Sequence, residues 1–143
     1  MDREKVAYMF LVPSMLNSLV RCPSAKNTDL PFLKVIQIGG APIADETALL
    51  GREVFGDVLY QGYGQTEALP VCMMGPHEWF SSVEGSNPLR SAGRALPFAY
   101  LEIRDTNDPE INLPMGEEGE IAIKCDGQMI EFWENKEATN ERI

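Results

Sequence analysis

The chain has little positive charge, one histidine and an odd number of cysteines, and each shortage closes off a class of function. It carries 12 Lys and Arg against 22 Asp and Glu, a net charge of −10. That balance repels a phosphate backbone, so nucleic acid is excluded as an extended partner. The single histidine, His77 in Gly75-Pro76-His77-Glu78-Trp79, has no motif partner, which favours a loop or core position over acid–base chemistry. Cys22, Cys72 and Cys125 lie far apart, and three is an odd count. They suit reduced thiols in a cytoplasmic protein better than a disulfide framework or a zinc site. No apolar run reaches transmembrane length, and Met1-Asp2-Arg3-Glu4 does not read as a signal peptide. There is no internal repeat or low-complexity tract, and nothing sets an oligomeric state.

What is present divides in two. A chain of 143 residues can bury roughly two-thirds of its unfolded surface. Residues 1–80 read as α/β. Val6 to Val12 is a continuous apolar run, expected of a strand covered on both faces. Pro13-Ser14 starts a helix with Ser14 as N-cap and an apolar face of Met15, Leu16, Leu19 and Val20, and Pro23 stops it. Lys34 to Ile38 is a second strand ending at Gly39-Gly40. Ile43, Thr47, Leu50 and Val54 form one face of a second helix, with Asp45 and Glu46 in its first turn and Gly56 at its end. Asp57 to Tyr60 begins a third strand. The β-α-β-α-β order implies parallel strands with ligand loops at their carboxyl ends. Residues 81–143 read as β-rich. Leu101 and Ile103 alternate with Glu102 and Arg104, and Ile121, Ile123 and Cys125 alternate with Ala122 and Lys124, separated by Asp-, Asn- and Pro-rich turns. Gly75 to Leu89 is a loop-rich connection.

The most chemical stretch is Gln61-Gly62-Tyr63-Gly64-Gln65-Thr66-Glu67, placed where the third strand ends and a loop begins. Two glycines let backbone approach a ligand. Tyr63 offers a flat face, Thr66 a hydroxyl and Glu67 two hard oxygens of the kind Mg²⁺ prefers. Together they point to a nucleotide and its metal.

The order of motifs around this stretch resembles the AMP-forming adenylate-forming superfamily of acyl-CoA synthetases, luciferases and peptide-synthetase adenylation domains. Val12-Pro13-Ser14-Met15-Leu16, Gly39-Gly40-Ala41-Pro42, Gly62 to Glu67, Gly93-Arg94-Ala95-Leu96-Pro97, Gly116 to Ile121 and Phe132 to Thr139 follow in the family's order. The resemblance implies a partial distorted barrel in the second half. It implies that Gly40, Ala41, Pro42, Gly62 and Tyr63 hold the nucleotide, with Tyr63 stacked on adenine. Thr66 would donate to a phosphate oxygen and Glu67 would hold Mg²⁺, the two forming the catalytic set. Gly64 and Gln65, with Gly62, would lie by the carboxyl end of the acid. The substrates implied are ATP, a fatty or related carboxylic acid and coenzyme A. The family's phosphate loop would precede Met1, and its ribose motif and catalytic lysine would follow Ile143. The chain therefore reads as a central fragment, inactive alone.

Each assignment has a plainer counterpart. Gly39 to Pro42 can be a bare strand-to-helix turn, Tyr63 a packed strand-end aromatic, and Glu67 a solvated carboxylate. Glu117-Glu118 reads as a solvated turn, and Met73-Met74 as core in preference to pocket wall. Cys125 and Glu131 stand where the family usually has Gly, Ala95 replaces a commoner Pro, and Ser14 a commoner Thr. A non-catalytic nucleotide-binding or scaffolding module that keeps the fold is the alternative to a ligase, and a peptide-synthetase adenylation domain is a weaker variant of the enzyme.

Overall fold

A computed structural model describes all residues 1–143. The chain forms two compact units, one of residues 1–64 and 72–94, the other of residues 65–71 and 95–143.

In the first unit β1 (Tyr8–Leu11) and β2 (Val35–Ile38) pair in parallel, and β2 pairs in parallel with β3 (Leu59–Gln65). They open a five-stranded sheet of order β1-β2-β3-β4-β5, where β4 is Ala68–Met74 and β5 is Arg94–Ala95. Helices α1 (Pro13–Val20), the short α2 (Pro23–Lys26) and α3 (Asp45–Phe55) supply the crossovers. The β-α-β-α-β order and the parallel pairing follow the sequence pattern.

The core is Leu11, Leu16, Val20, Leu33, Ile36, Ile38, Ala48, Leu59, Met74 and Trp79. Only one face of the parallel strands is buried in it. On the other face of β1, Tyr8 and Phe10 are 56% and 51% exposed in these 143 residues.

Helix α1 begins differently from its sequence signal. Val12 holds the N-cap position without a side-chain cap and Pro13 is the first helical residue. Proline suits that position because its fixed φ is helical and its missing N–H is not needed there. Ser14 therefore lies inside the first turn, where its carbonyl accepts from Ser18 Oγ at 3.0 Å. Helix α3 ends at Gly56 as its sequence suggests, with φ of 77°. Its most buried residues are Thr47, Ala48 and Gly51, while Ile43, Leu50 and Val54 are only partly buried. A Cβ on Gly51 would lie 2.7 Å from Leu59 Cδ2, so the helix is seated on β3 by its smallest side chain. Thr47 Oγ1 donates to Asn17 Oδ1 at 3.3 Å, which gives the buried hydroxyl a partner and ties α3 to α1.

Between the halves, β4 was not foreseen, and neither was α4 (Pro76–Trp79) nor the 3-10 turn Pro88–Arg90. Met74 is core and Met73 is half-buried. Trp79 is fully buried, stacks on Phe80 with ring centroids 5.2 Å apart, and donates from Nε1 to Leu89 O at 3.4 Å.

In the second unit β6 (Ala99–Arg104) and β7 (Glu120–Cys125) pair antiparallel, with Leu101 opposite Ile123 and Ile103 opposite Ile121. Their alternation is the one the sequence shows. Helix α5 (Lys136–Arg142) closes the chain. The side chain of Asn135 accepts from Ala138 N at 3.1 Å, and Thr139 Oγ1 accepts from Phe132 N at 3.0 Å. The closing Asn-x-x-Ala-Thr pattern is thus helix-capping chemistry.

The turn after β6 yields a pH prediction. Asp105 Oδ1 accepts from the backbone N–H groups of Asn107 at 2.7 Å and Asp108 at 3.2 Å. Both bonds favour the ionised carboxylate and hold its pKa below the ordinary value, Asn107 contributing more. With the folded pKa below the unfolded one, the turn's contribution is present above the ordinary aspartate value of about 3.9 and is lost as pH falls through the depressed folded value. Carboxyl-detected NMR titration should show Asp105 ionising below that ordinary value. Titration at the ordinary value would mean the two bonds do not persist in solution.

Candidate functional site

The parallel strands β2 and β3 deliver two of the suspected segments to one end of the sheet. Their register pairs Ile38 with Gln61. One residue further, Gly39 meets Gly62: a Cβ on Gly39 would sit 3.0 Å from Gly62 O and 3.3 Å from the Phe10 ring. A Cβ on Gly62 would sit 3.0 Å from Gln37 Nε2, and Gln37 Oε1 in turn accepts from the Tyr8 hydroxyl at 2.7 Å. At Gly39 the close neighbour is backbone, which cannot swing aside, whereas at Gly62 it is the tip of the Gln37 side chain. Gly40 turns the chain out of β2 at a φ of 82°, a left-handed angle that favours glycine. Ala41 and Pro42 follow on the surface, both exposed.

The second segment departs from its sequence reading. The strand does not stop at Tyr60. It continues to Gln65, and only Thr66 and Glu67 form the turn before β4. Extending the strand changes which side chains share a face. By strand alternation Gln61 and Tyr63 lie on the core-facing side with Leu59, and Gly62 and Gly64 on the other. Tyr63 is half-buried there.

A cavity of about 360 Å³ opens beside this end of the sheet, lined by Pro42, Ile43, Ala44, Asp45, Gln61, Leu89, Arg90 and Ser91. Gln61 Oε1 is buried in the structure without a hydrogen-bond partner. A buried acceptor left unmade is costly, on the order of 1–3 kcal/mol, unless a donor arrives. Sequence reading assigned Gln61 no role. Its signal was present in the polar residue at an inward-facing strand position just before Gly62, but it needed the longer strand to become legible. Asp45 and Arg90 had no such signal.

In the second unit, Gln65 and Thr66 are exposed and Glu67 is half-buried. The turn is stapled from behind. Glu67 O accepts from Met129 N at 2.8 Å, Leu69 N donates to Gly127 O at 3.3 Å, and Ala68 bridges Gln128. A Cβ on Gly127 would collide with the Leu69 carbonyl. The Glu67 carboxylate enters no ion pair.

No three His, Cys, Asp or Glu side chains gather to hold a metal unaided. A lone carboxylate fits Mg²⁺ all the same, because that ion keeps several waters and takes one or two carboxylates together with substrate phosphates. The remaining candidates stay outside. His77 is exposed on α4, and Glu117 and Glu118 are exposed in a turn. All three cysteines are free thiols. Burial pushes the Cys72 thiol up, and a hydrogen bond with Ser24 pulls the exposed Cys22 thiol down.

Known proteins are similar to this chain in sequence and fold. A family model described as AMP-binding enzyme matches residues 1–133. A probable 4-coumarate–CoA ligase 3 of Dictyostelium discoideum is 36% identical over 141 residues, which cover 97% of this chain and 24% of that protein. A feruloyl-CoA synthase of an Amycolatopsis species is 30% identical over 142 residues, 98% of this chain and 27% of that protein. Among solved structures, the amide bond synthetase McbA from Marinactinospora thermotolerans matches with a TM-score of 0.87 and 31% identity, over 99% of this chain and 28% of that one. The chain spans about a quarter of the length of the curated relatives it matches.

Proposed function

Because the chain belongs to the AMP-binding enzyme family, we propose that it supplies the central portion of an ATP-dependent, AMP-forming acyl-CoA ligase. In the first half-reaction a carboxylate oxygen attacks the α-phosphorus of ATP, the bond to the β-phosphate oxygen breaks, and pyrophosphate leaves. In the second, a thiol sulfur attacks the acyl carbonyl of the adenylate and AMP leaves, giving the acyl-CoA thioester and a proton. The acid is a fatty or related carboxylic acid.

On this reading Gly40, Ala41 and Pro42 border the adenine and Tyr63 stacks on it, as a flat heterocycle favours. Gly62 gives the backbone room, and Gly64 and Gln65 flank the acid's carboxyl end. Thr66 donates to a phosphate oxygen. Glu67 would hold Mg²⁺, which offsets phosphate charge when bound. The strand pair β6 and β7 would be part of a distorted barrel, and the free thiols suit the cytoplasm. The 143 residues alone do not complete adenylation.

The observation that carries the nucleotide part is the buried, unpartnered Gln61 Oε1 beside Pro42. The exocyclic amine of adenine is the donor such an acceptor needs, whereas the oxo group of hypoxanthine meets acceptor with acceptor unless the amide turns. Saturation-transfer NMR on the chain should show adenosine binding about tenfold more tightly than inosine, with Gln61→Ala erasing the difference. Acid-dependent pyrophosphate release should be absent. Equal binding of the two nucleosides would sink the adenine assignment, and pyrophosphate release would refute the inactivity of the chain.

A further inference from the structure

The cavity at Gln61 also holds two charged groups that the adenine assignment leaves unused. Asp45 lies in the first turn of α3 and Arg90 ends the 3-10 turn, and both line the cavity. They are only loosely joined. Arg90 Nε and Nη2 both donate to one oxygen, Asp45 Oδ2, each at 3.4 Å, and Nη1 takes part in neither bond. Well-formed charge-assisted bonds run to about 2.7–2.9 Å. The side chains are 73% and 38% exposed, where an ion pair contributes little and is readily exchanged. A guanidinium parked at a cavity rim on a weak partner can turn to a better acceptor at small cost.

We propose that Arg90 is a second nucleobase-reading residue, donating from its guanidinium to the ring nitrogen that flanks the amine held by Gln61. The proposal rests on the nucleotide assignment above. Adenine presents its amine, a donor, next to a ring acceptor, N1 on one side and N7 on the other. The cavity presents the complement: a buried acceptor on Gln61 and a donor fork on Arg90, with Asp45 holding the fork at the rim until a base enters. Gln61 selects the amine. Arg90 rewards the acceptor beside it, and its charge strengthens the bond relative to a neutral donor. Bases with a carbonyl at the amine position set acceptor against acceptor at Gln61 Oε1 as it stands in the structure, and use Gln61 together with Arg90 only if the amide turns its Nε2 toward them.

Adenosine, 1-deazaadenosine and 7-deazaadenosine, in which one ring nitrogen is replaced by C–H, separate these contributions. Binding to the 143-residue chain and to its Arg90→Ala and Arg90→Lys variants is measured by saturation-transfer NMR, with circular dichroism to confirm folding. Arg90→Ala should weaken adenosine binding about tenfold, the loss of one hydrogen bond from a charged donor. It should leave one deaza analogue bound as in the unsubstituted chain, and that analogue identifies the nitrogen. Arg90→Lys, which keeps the charge without the fork, should fall between and serves alone if the alanine variant does not fold. An equal loss for all three ligands, or no loss for any, overturns the role of Arg90. Failure of the underlying nucleotide assignment looks different: the unsubstituted chain then fails to prefer adenosine over inosine, or binds neither, and both assignments fall.

Discussion

Replacing Glu67 with glutamine in an intact ligase carrying this chain should slow acyl-adenylate formation by on the order of 10²–10³-fold, the loss that follows removal of one preorganised electrostatic partner. The substitution keeps the size of the side chain and removes its charge. The local structure is set to survive it, because the turn is held by backbone bonds: Met129 N to Glu67 O and Leu69 N to Gly127 O. The carboxylate takes part in no ion pair, so no structural partner is orphaned by its neutralisation. In the proposed reaction negative charge on the phosphates peaks as pyrophosphate departs, which is when a carboxylate holding Mg²⁺ would count. Thioester formation from preformed acyl-adenylate should fall far less, because pyrophosphate and its metal have already left. Pyrophosphate exchange reads the first half-reaction, and single-turnover consumption of synthetic acyl-adenylate reads the second. Equal losses in both would make Glu67 a structural residue, and an unchanged first rate would remove it from the chemistry.

Substituting Gly93 with alanine should destabilise the first unit by about 2–4 kcal/mol, combining left-handed backbone strain with overpacking. Gly93 sits at a φ of 95°, and a Cβ there would lie 2.6 Å from both the carbonyl carbon and the oxygen of Met73. Backbone cannot swing aside as a side-chain tip can. Gly93 N also donates to Ser91 Oγ at 3.0 Å, so the turn is fixed on both sides. Gly85 supplies the control. Its φ is 73°, but nothing lies within 4 Å of the position a Cβ would take. Gly85→Ala should cost only the conformational part, about 1–2 kcal/mol. Urea unfolding of the two variants separates strain from collision. If both lose the same stability, the close approach at Met73 is not a feature of the folded protein in solution.

Much of the fold around the candidate site was legible because its signals are local. The Gly-Gly-Ala-Pro segment follows an apolar strand and precedes a helix with acidic first-turn residues, and each signal acts over a few residues. The same holds for Gly56, for the alternating Leu101, Ile103, Ile121 and Ile123, and for the series of motifs that marks the family. Where sequence reading missed, the deciding neighbour was far along the chain. The face of α3 was read from its large residues, although Ala48 and Gly51 are what let it settle on Leu16 and Leu59.

The sequence by itself determined the parallel β-α-β-α-β order and family membership, because hydrophobic period, turn residues and motif order are written contiguously. The tertiary structure alone decided that β3 runs on to Gln65, so that Gln61 and Tyr63 share one face and the glycines the other. It alone brought Asp45 and Arg90, 45 positions apart, to the rim of one cavity. It also left the Gln61 oxygen buried without a donor. Strand length depends on the pairing neighbour and an unmet acceptor depends on everything packed around it, and neither is a property of any short stretch of chain.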